Sequence, residues 1–178
     1  NPRFIILFGA YGGRGNRLKG FDDLVQAFKL LSPEMKAQSE LHIFGESAAD
    51  CITEGIRTHF LGSVSDPSEL IKIYHSANVF AFPSREETQG MTKVEAMLCG
   101  LPVVAFSRTA CAEGIEHRVT GWIAPNGDFA AYAEGLSHYF AAWKSGVNSA
   151  FRTSIAVSTA DRYQTDALVK EICRVYSA

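Results

Sequence analysis

A chain of 178 residues, 47% of them hydrophobic, is long enough to enclose one full core, so its length and composition predict a single domain. Its 17 basic and 19 acidic residues give a net charge of −2 with the two signs interspersed, which argues against nucleic-acid binding. No apolar run approaches membrane-spanning length, no signal peptide is evident, and the four cysteines lack metal-site spacing. These features predict a cytoplasmic protein with reduced thiols.

The first predicted element is an apolar run at residues 4–8, which is typical of a buried parallel strand. A glycine-rich loop follows over residues 9–20 and leads into an amphipathic helix predicted for residues 21–31. Its glycines are out of register for a dinucleotide-binding fingerprint, and no P-loop sequence is present. Unless it is only a solvated surface segment, this loop lies where parallel sheets bind ligands, at the carboxyl end of a strand. Its cations are then candidate ligand contacts: Arg14, Arg17 and Lys19.

Two further strands are predicted at residues 40–45 and 59–64, with a weaker helix between them at about residues 48–57. Glu46 follows the first of these strands, and an acidic residue there is the feature that most favours binding of an NAD ribose. Asp66 is an N-cap followed by proline, which predicts the start of a helix. That helix should turn three side chains towards the core: Leu70, Ile71 and Tyr74.

The centre of the chain, residues 78–104, has the pattern of strand, loop, helix and strand, which is one parallel crossover unit. Gly90 precedes the helix and Gly100 ends it, because glycine accommodates the backbone conformations that these positions require. Four apolar side chains at helical spacing should face the core: Met91, Val94, Met97 and Leu98.

Glu95 borders that apolar face, where a carboxylate is costly unless it has a partner. Its position is consistent with two partners, an internal Arg or Lys and the cis-diol of a ribose. Gly90 favours the ribose, since it lets a ligand approach the N–H groups of Met91 and Thr92, and such helix N-termini hold phosphate. A diphosphate at the amino end of the helix and a diol one or two turns later describe a nucleotide.

The last third of the chain predicts strands at residues 103–106 and 121–125, a helix from Asp128 to about residue 143, and two more helical stretches. Glu113, between the two strands, is interpreted as a structural ion-pair partner. The histidines are spread over different elements with no shared face, so neither a metal site nor a Ser-His pair is predicted. The alternation of strand and helix predicts an α/β, doubly wound, Rossmann-like sandwich with a mostly parallel sheet of about six strands.

Glu87 and Glu95 stand eight positions apart with Gly90 between them, and the sequence continues as EAMLCGLPVV over residues 95–104. This pattern resembles the E-x7-E signature of group 1 (family 4) retaining glycosyltransferases, enzymes with the two-domain GT-B fold. The resemblance covers nearly all of the chain and corresponds only to the carboxy-terminal half of such an enzyme. It implies that residues 1–178 form a nucleotide-sugar (donor) binding domain, and that the amino-terminal acceptor domain is absent from this chain.

The resemblance also implies roles for single residues. Glu87 would bind hydroxyls of the transferred sugar and Glu95 the donor ribose, while residues 62–64 would hold the nucleobase. Residues 13–20 resemble the G-R-x4-K-G segment whose cations contact the donor diphosphate, with Arg17 as an alternative to Arg14. The residues implied as catalytic are Glu87, Lys19 and Arg14. Those implied to bind substrate are Arg17, Gly62, Ser63, Val64, Thr88, Gln89, Gly90, Met91, Thr92 and Glu95.

The implied activity is transfer of a hexose from a nucleoside-diphosphate sugar to a glycan, lipid-linked or small-molecule acceptor, with retention and without a metal or other cofactor. The acceptor would bind through the missing domain, so the donor half alone would be inactive. The full-length enzyme would be cytoplasmic, with peripheral association at the inner face of the membrane as an option. The alternatives are a non-catalytic nucleotide-sugar binding module, a GT-B epimerase and an NAD-dependent dehydrogenase.

Overall fold

The computed structural model describes residues 2–9, 12–146 and 149–163. Seven strands and six α-helices lie within these ranges. The strands are β1 (Phe4–Gly9), β2 (Ser39–Phe44), β3 (Cys51–Thr53), β4 (Ile56–Phe60), β5 (Val79–Phe82), β6 (Val103–Phe106) and β7 (Gly121–Ala124). The helices are α1 (Phe21–Lys29), α2 (Pro33–Gln38), α3 (Pro67–Ser76), α4 (Met91–Leu98), α5 (Phe129–Lys144) and α6 (Ser149–Tyr163). None of these helices combines the length and apolarity that crossing a membrane requires.

The strands form one sheet in the order β3-β4-β2-β1-β5-β6-β7. All neighbours are parallel except β3 and β4, which form an antiparallel pair at one edge. Without that edge strand the order is the doubly wound one, in which the chain progresses outwards first from one side of β1 and then from the other. The reversal falls between β1 and β5, and a crevice for ligands forms outside the carboxyl ends of the strands at such a point.

Helices cover both faces of the sheet, so each strand of its centre is buried on two sides. Alternate residues of β1 enter two separate cores: Phe4, Ile6 and Phe8 pack with α1 and α5, whereas Ile5 and Leu7 pack on the face that carries α3, α4 and α6. This double burial explains why β1, β5 and β6 are continuous apolar runs with every residue buried.

Two kinds of helix start occur in this fold. Three helices, α2, α3 and α5, are capped by the side-chain oxygens of Ser32, Asp66 and Asp128 respectively. Each oxygen accepts a hydrogen bond from a backbone N–H of the first turn. By contrast, α1 and α4 begin after Gly20 and Gly90, whose φ angles are 70° and 66°, and no side chain caps them. Both uncapped helix starts follow strands that border the crevice.

The prediction of a helix at about residues 48–57 is wrong, and the sheet consequently has seven strands rather than about six. This segment forms β3 and the start of β4, joined by the two-residue turn Glu54-Gly55. Both turn residues have positive φ angles, 48° and 86°. A two-residue loop of this kind matches the right-handed twist of paired strands and therefore favours a hairpin over a helix.

Three side chains that were expected in the core are exposed instead. Met91, Leu98 and Ile71 expose 56%, 44% and 47% of their surfaces, whereas Val94, Met97 and Tyr74 are buried as predicted. Ile71 and Leu98 line the same cavity between α3 and α4. Helical spacing therefore placed them correctly on an apolar face, but that face borders a cavity and not the core. The helix predicted after residue 163 lies outside the described residues.

The expectation that the histidines share no face is also wrong. His42 on β2 and His59 on β4 are register partners in the sheet, and their ring centroids lie 5.3 Å apart. His117 and His138 both pack against the indole of Trp122. Neither pairing has a signature in the sequence, because each joins elements that are separated along the chain.

Candidate functional site

The crevice between β1 and β5 brings together a lysine and a carboxylate that lie 68 positions apart in the sequence. Lys19 Nζ lies 2.6 Å from Glu87 Oε1, and the hydroxyl of Ser84 donates to the same oxygen at 2.9 Å. The Glu87 side chain is only 9% exposed. The structure therefore places two of the predicted catalytic residues in direct contact at the switch point of the sheet.

Backbone contacts hold the two loops of the crevice against each other. The N–H of Arg85 donates to the carbonyl of Leu18 at 2.7 Å. Gly20 packs so closely that a Cβ atom there would lie 2.1 Å from the carbonyl oxygen of Pro83. A glycine is required at this position both for its positive φ and for this approach, so the contact between Lys19 and Glu87 depends on it.

A buried aspartate ties the same loops to a third one. Asp23, in the first turn of α1, is 8% exposed and accepts two hydrogen bonds from Arg85 and one from Arg108. Burial alone would raise the pKa of Asp23, but the two guanidinium groups outweigh it and hold that pKa below its ordinary value. No sequence pattern predicted this cluster, which fixes the loop that carries Glu87.

Arg14 is held at the edge of the crevice by Glu46. Its Nη2 lies 2.7 Å from Glu46 Oε1, its Nε and backbone N–H also donate to that carboxylate, and its guanidinium stacks on the ring of Phe60 at 4.4 Å. The hydrogen bonds from Arg14 lower the pKa of Glu46. Both oxygens of Glu46 are therefore engaged, which removes the feature that favoured binding of an NAD ribose.

Arg17 differs from the other two cations of its loop. It lies in a short 3-10 turn, Arg17–Lys19, and its side chain is exposed. No ion pair or hydrogen bond joins its guanidinium to another residue in the described ranges. It is thus available to a ligand, whereas Arg14 already has a partner.

The amino end of α4 opens into the crevice between the two glutamates. Gly90 starts the helix, and the N–H groups of Met91 and Thr92 have no acceptor among the described residues. Unsatisfied N–H groups at a helix N-terminus carry a partial positive charge and bind phosphate readily. The sequence predicted that these two backbone groups bind phosphate, and this role stays a prediction.

Glu95 faces a cavity of about 540 Å³ between α3 and α4, which we call the α3–α4 cavity. Its partner is Tyr74, whose hydroxyl donates to Glu95 Oε2 at 2.9 Å. Burial, reinforced by the charge of Glu95, raises the pKa of Tyr74, so the phenol stays protonated and orients the carboxylate. Neither an internal Arg nor an internal Lys contacts Glu95 among the described residues. The walls of the cavity are mainly apolar: Val64, Pro67, Leu70, Ile71, Leu98 and Cys99.

Glu87 faces a different space, a cavity of about 430 Å³ that we call the loop cavity. Its other lining residues are Leu18, Glu86 and Thr88. Gln89 is exposed beside it, between Thr88 and the start of α4. The two glutamates of the E-x7-E pattern thus line two different cavities.

The three residues predicted to hold a nucleobase do not act alike. Val64 lines the α3–α4 cavity, and Ser63 lines a neighbouring cavity of about 470 Å³ together with Val64. Gly62 lines neither, and its N–H and carbonyl bond to Glu46 and Gly45, just after β2. The structure therefore brings Val64 to the side of Glu95 and leaves Gly62 bonded to the neighbouring loop.

The loop after β6 is anchored by a buried lysine. Lys93 is fully buried and donates to the carbonyl oxygens of Ala110 and Glu113, each at 2.7 Å. Burial lowers the pKa of Lys93. Glu113 thus contributes its backbone to this contact, and no ion pair of its carboxylate occurs among the described residues. Arg118, in the same loop, adopts a φ of 66°, a conformation that glycine adopts more easily.

Comparisons with known proteins identify the family of this chain. The family model described as "Glycosyl transferases group 1" matches residues 3–141. A capsular polysaccharide biosynthesis glycosyltransferase, CapM of Staphylococcus aureus, is 31% identical over 145 residues, which are 76% of this chain and 36% of that protein. A D-inositol 3-phosphate glycosyltransferase of Catenulispora acidiphila is 34% identical over 146 residues, or 74% of this chain and 34% of that protein. The chain spans about a third of the length of these relatives.

Solved structures share the fold at lower sequence identity. TarM superposes with a TM-score of 0.76 at 16% identity, covering 100% of this chain and 36% of that one. HepE of Anabaena, solved in complex with UDP, has a TM-score of 0.73 at 21% identity and covers 99% of this chain and 49% of that one. Since the family model covers most of the sequence and the fold is that of one half of a GT-B enzyme, this chain belongs to the group 1 glycosyltransferases.

Proposed function

We propose that this chain is the donor-binding domain of a retaining, metal-independent glycosyltransferase of the hexosyltransferase type. The observation that carries the proposal is that the two glutamates around α4 line different cavities. Along the chain, Glu87 at the loop cavity comes first, the amino end of the helix follows at Gly90, and Glu95 at the α3–α4 cavity comes last. A nucleoside-diphosphate sugar has the same three parts in the same order.

In the proposed complex, the nucleoside occupies the α3–α4 cavity. The apolar walls pack on the base, and Glu95, oriented by Tyr74, accepts hydrogen bonds from the two ribose hydroxyls. The diphosphate binds at the N–H groups of Met91 and Thr92. The sugar then lies in the loop cavity beside Glu87, where Thr88 and Gln89 contact it.

The cations of the glycine-rich loop supply the positive charge that the leaving diphosphate requires. Lys19 already contacts Glu87, which lines the loop cavity, and changes partner from Glu87 to phosphate when the donor binds. Arg17 makes no ion pair among the described residues, so it can contact phosphate without losing one. Arg14 stays hydrogen-bonded to Glu46 through one edge of its guanidinium. Fixed donors aimed at the developing charge stabilise the transition state, which is the role that we assign to these groups in place of a metal.

The decisive experiment is a binding screen of this chain against UDP, GDP, ADP, their sugars and NAD. HepE was solved with UDP and with UDP-glucose, so uridine nucleotides are tested first. We expect a nucleoside diphosphate to raise the melting temperature and NAD to leave it unchanged. Stabilisation by NAD alone would overturn the proposal in favour of a dehydrogenase. Interconversion of a nucleotide-sugar without an acceptor, by the full-length enzyme, would instead favour an epimerase.

A non-catalytic binding module would give the same binding profile, so turnover has to be tested separately. The full-length enzyme should transfer sugar to a glycan, lipid-linked or small-molecule acceptor with retention at the anomeric carbon and in the presence of a chelator. A full-length protein that binds the donor but neither transfers nor hydrolyses it would leave only the binding module. The cytoplasmic location, with or without association at the membrane, stays a prediction.

A further inference from the structure

Four polar side chains meet on one face of the sheet where β2 pairs with β4, apart from the residues assigned to the donor. Glu40 and His42 lie two positions apart on β2, His59 is the register partner of His42 on β4, and Asp50 precedes β3. Glu40 Oε2 lies 3.4 Å from His42 Nε2 and 3.9 Å from His59 Nε2. One donor atom of each of Glu40, His42 and His59 lies within 4.8 Å of the other two.

These separations are close to those of ligands around a tetrahedral metal ion. Zinc bonds of roughly 2.0–2.1 Å at tetrahedral angles put neighbouring ligand atoms about 3.3 Å apart. Glu40 Oε2 and His42 Nε2 are already at about this distance, and the 3.9 Å between Glu40 Oε2 and His59 Nε2 has to shorten when an ion binds. The three side chains come from paired parallel strands in the interior of the described sheet, so their backbones are already fixed in the arrangement that binding needs.

Asp50 sets the ring of His59 for this role. Asp50 Oδ2 lies 2.7 Å from His59 Nδ1, and Asp50 Oδ1 accepts the N–H of Phe60. Because a carboxylate only accepts, Nδ1 donates to Asp50, and Nε2 of the same ring lies on the Glu40 side. In zinc sites, a histidine that binds the metal through one nitrogen commonly donates the N–H of the other nitrogen to a carboxylate.

The cluster is accessible to an ion from solution. The side chains of Glu40, His42 and His59 are 19%, 18% and 29% exposed, and they line a surface cavity of about 390 Å³ with Asp50, Phe60 and Leu61. A fourth ligand position is therefore open to water. Two imidazoles and one carboxylate suit Zn²⁺ and its neighbours in the first transition row, whereas Mg²⁺ and Ca²⁺ prefer sites made of oxygen atoms.

We propose that Glu40, His42 and His59 form a binding site for a divalent transition metal of the zinc type, with Asp50 positioning His59. The site clamps β4 to β2 one residue before Phe60, the ring on which Arg14 stacks. Its role is structural, and it is separate from the charge stabilisation that the proposed transfer assigns to Lys19 and the N-terminus of α4.

The test is a titration of the metal-stripped chain with ZnCl₂ by calorimetry, and with CoCl₂ by visible absorption. We expect one Zn²⁺ per chain, a rise in melting temperature, and the intense visible bands of tetrahedral Co²⁺. His42→Ala and His59→Ala should each weaken Zn²⁺ binding by more than tenfold and abolish the Co²⁺ bands. Asp50→Asn removes only the carboxylate that positions His59 and should weaken binding by about tenfold.

His138→Gln is the matched control, because it removes an imidazole elsewhere on the surface and should leave Zn²⁺ affinity unchanged. Glu40→Gln keeps the shape of the site and carries the test if a histidine variant does not fold. The proposal is overturned if the chain binds no stoichiometric Zn²⁺, or if Glu40→Gln and Asp50→Asn bind it as tightly as the parent chain. UDP is added in a parallel titration, and an unchanged Zn²⁺ stoichiometry shows that the two sites are independent.

Discussion

At the scale of single residues, the two glutamates around α4 have different neighbours and should have separable effects. Glu95 accepts a hydrogen bond from the hydroxyl of Tyr74 and faces the α3–α4 cavity. Glu87 accepts hydrogen bonds from Lys19 and Ser84 and faces the loop cavity. In the proposed complex the first carboxylate contacts the nucleoside and the second the sugar. Substitution of each by glutamine keeps its shape and changes one oxygen from acceptor to donor.

Glu95→Gln should weaken binding of every nucleoside diphosphate, whatever sugar it carries, by roughly 1–3 kcal/mol, the cost of a lost charged hydrogen-bond partner. Glu87→Gln should leave nucleoside diphosphate binding almost unchanged and reduce transfer by the full-length enzyme. Calorimetry with UDP and UDP-sugars measures the first effect and steady-state kinetics the second. Glu134→Gln on α5 is the neutral control. If Glu95→Gln unfolds the chain and Glu87→Gln leaves transfer intact, both residues are structural.

Lys19→Ala should weaken a nucleoside diphosphate by roughly 1.5–3 kcal/mol and the matching nucleoside far less, because a charge-assisted contact to phosphate is lost. UDP and uridine titrated into the same variant give the comparison. Arg14→Ala and Arg17→Ala, measured in parallel, identify which guanidinium contacts phosphate. Equal losses for UDP and uridine in Lys19→Ala would show that the lysine acts only through its bond to Glu87.

The lowered pKa of Asp23 predicts how the stability of the chain depends on pH. Its pKa is lowered in the folded state, so the stability that it contributes is present above its ordinary pKa of about 3.9 and is lost as the pH falls through the folded value. Asp23→Asn should cost roughly 3 kcal/mol at pH 7, since it leaves two arginines without their buried partner, and much less near pH 2. Urea unfolding at both pH values measures this. Asp22→Asn, on the exposed side of the same turn, should cost little; a loss as large as that of Asp23→Asn would contradict the assignment.

At the scale of elements, the site depends on how closely the turn before α1 approaches the loop after β5. Gly20→Ala would place a Cβ 2.1 Å from the carbonyl oxygen of Pro83 at a φ of 70°, so the two loops must separate. We expect a loss of roughly 1–3 kcal/mol in stability and weaker UDP binding, because Lys19 moves with the turn. Chemical denaturation and calorimetry measure the two effects.

Gly15→Ala is the matched control for that experiment. It lies in the same glycine-rich loop, it has an ordinary φ, and nothing lies within 4 Å of the position that its Cβ would occupy. Its stability should be unchanged or slightly higher, since alanine restricts the unfolded chain. If the two alanine variants behave alike, the close approach of Gly20 to Pro83 has no role in the site.

At the scale of the whole molecule, the chain should bind a nucleoside diphosphate but transfer no sugar by itself. The matched relatives are more than twice as long, and an acceptor site lies within the remainder in the proposed enzyme. Incubation of the chain with a radiolabelled nucleotide-sugar and candidate acceptors measures transfer. The Glu87→Gln variant of the same chain controls for contaminating activity. Robust transfer that this substitution abolishes would show that the chain holds an acceptor site of its own.

Much of the fold follows from local pattern. The apolar runs of β1, β5 and β6 are continuous because both faces of each strand are covered, and Asp66 and Asp128 cap the helices that they were expected to begin. Strand and helix alternation then leads to a doubly wound sheet with few alternatives. The sequence pattern at residues 51–60 did not predict the hairpin of β3 and β4. The turn depends on a positive φ at Glu54, a conformation that glutamate rarely adopts.

The sequence by itself determined the spacing of the three candidate site residues, Glu87, Gly90 and Glu95, on one loop and helix. Only the tertiary structure decided their partners. Lys19, Tyr74 and Asp23 reach this unit from other elements, and the register of β2 with β4 places His42 beside His59. The physical reason is that local spacing sets the direction of a side chain on its own element, whereas the partner it meets depends on sheet order and helix packing over the whole chain.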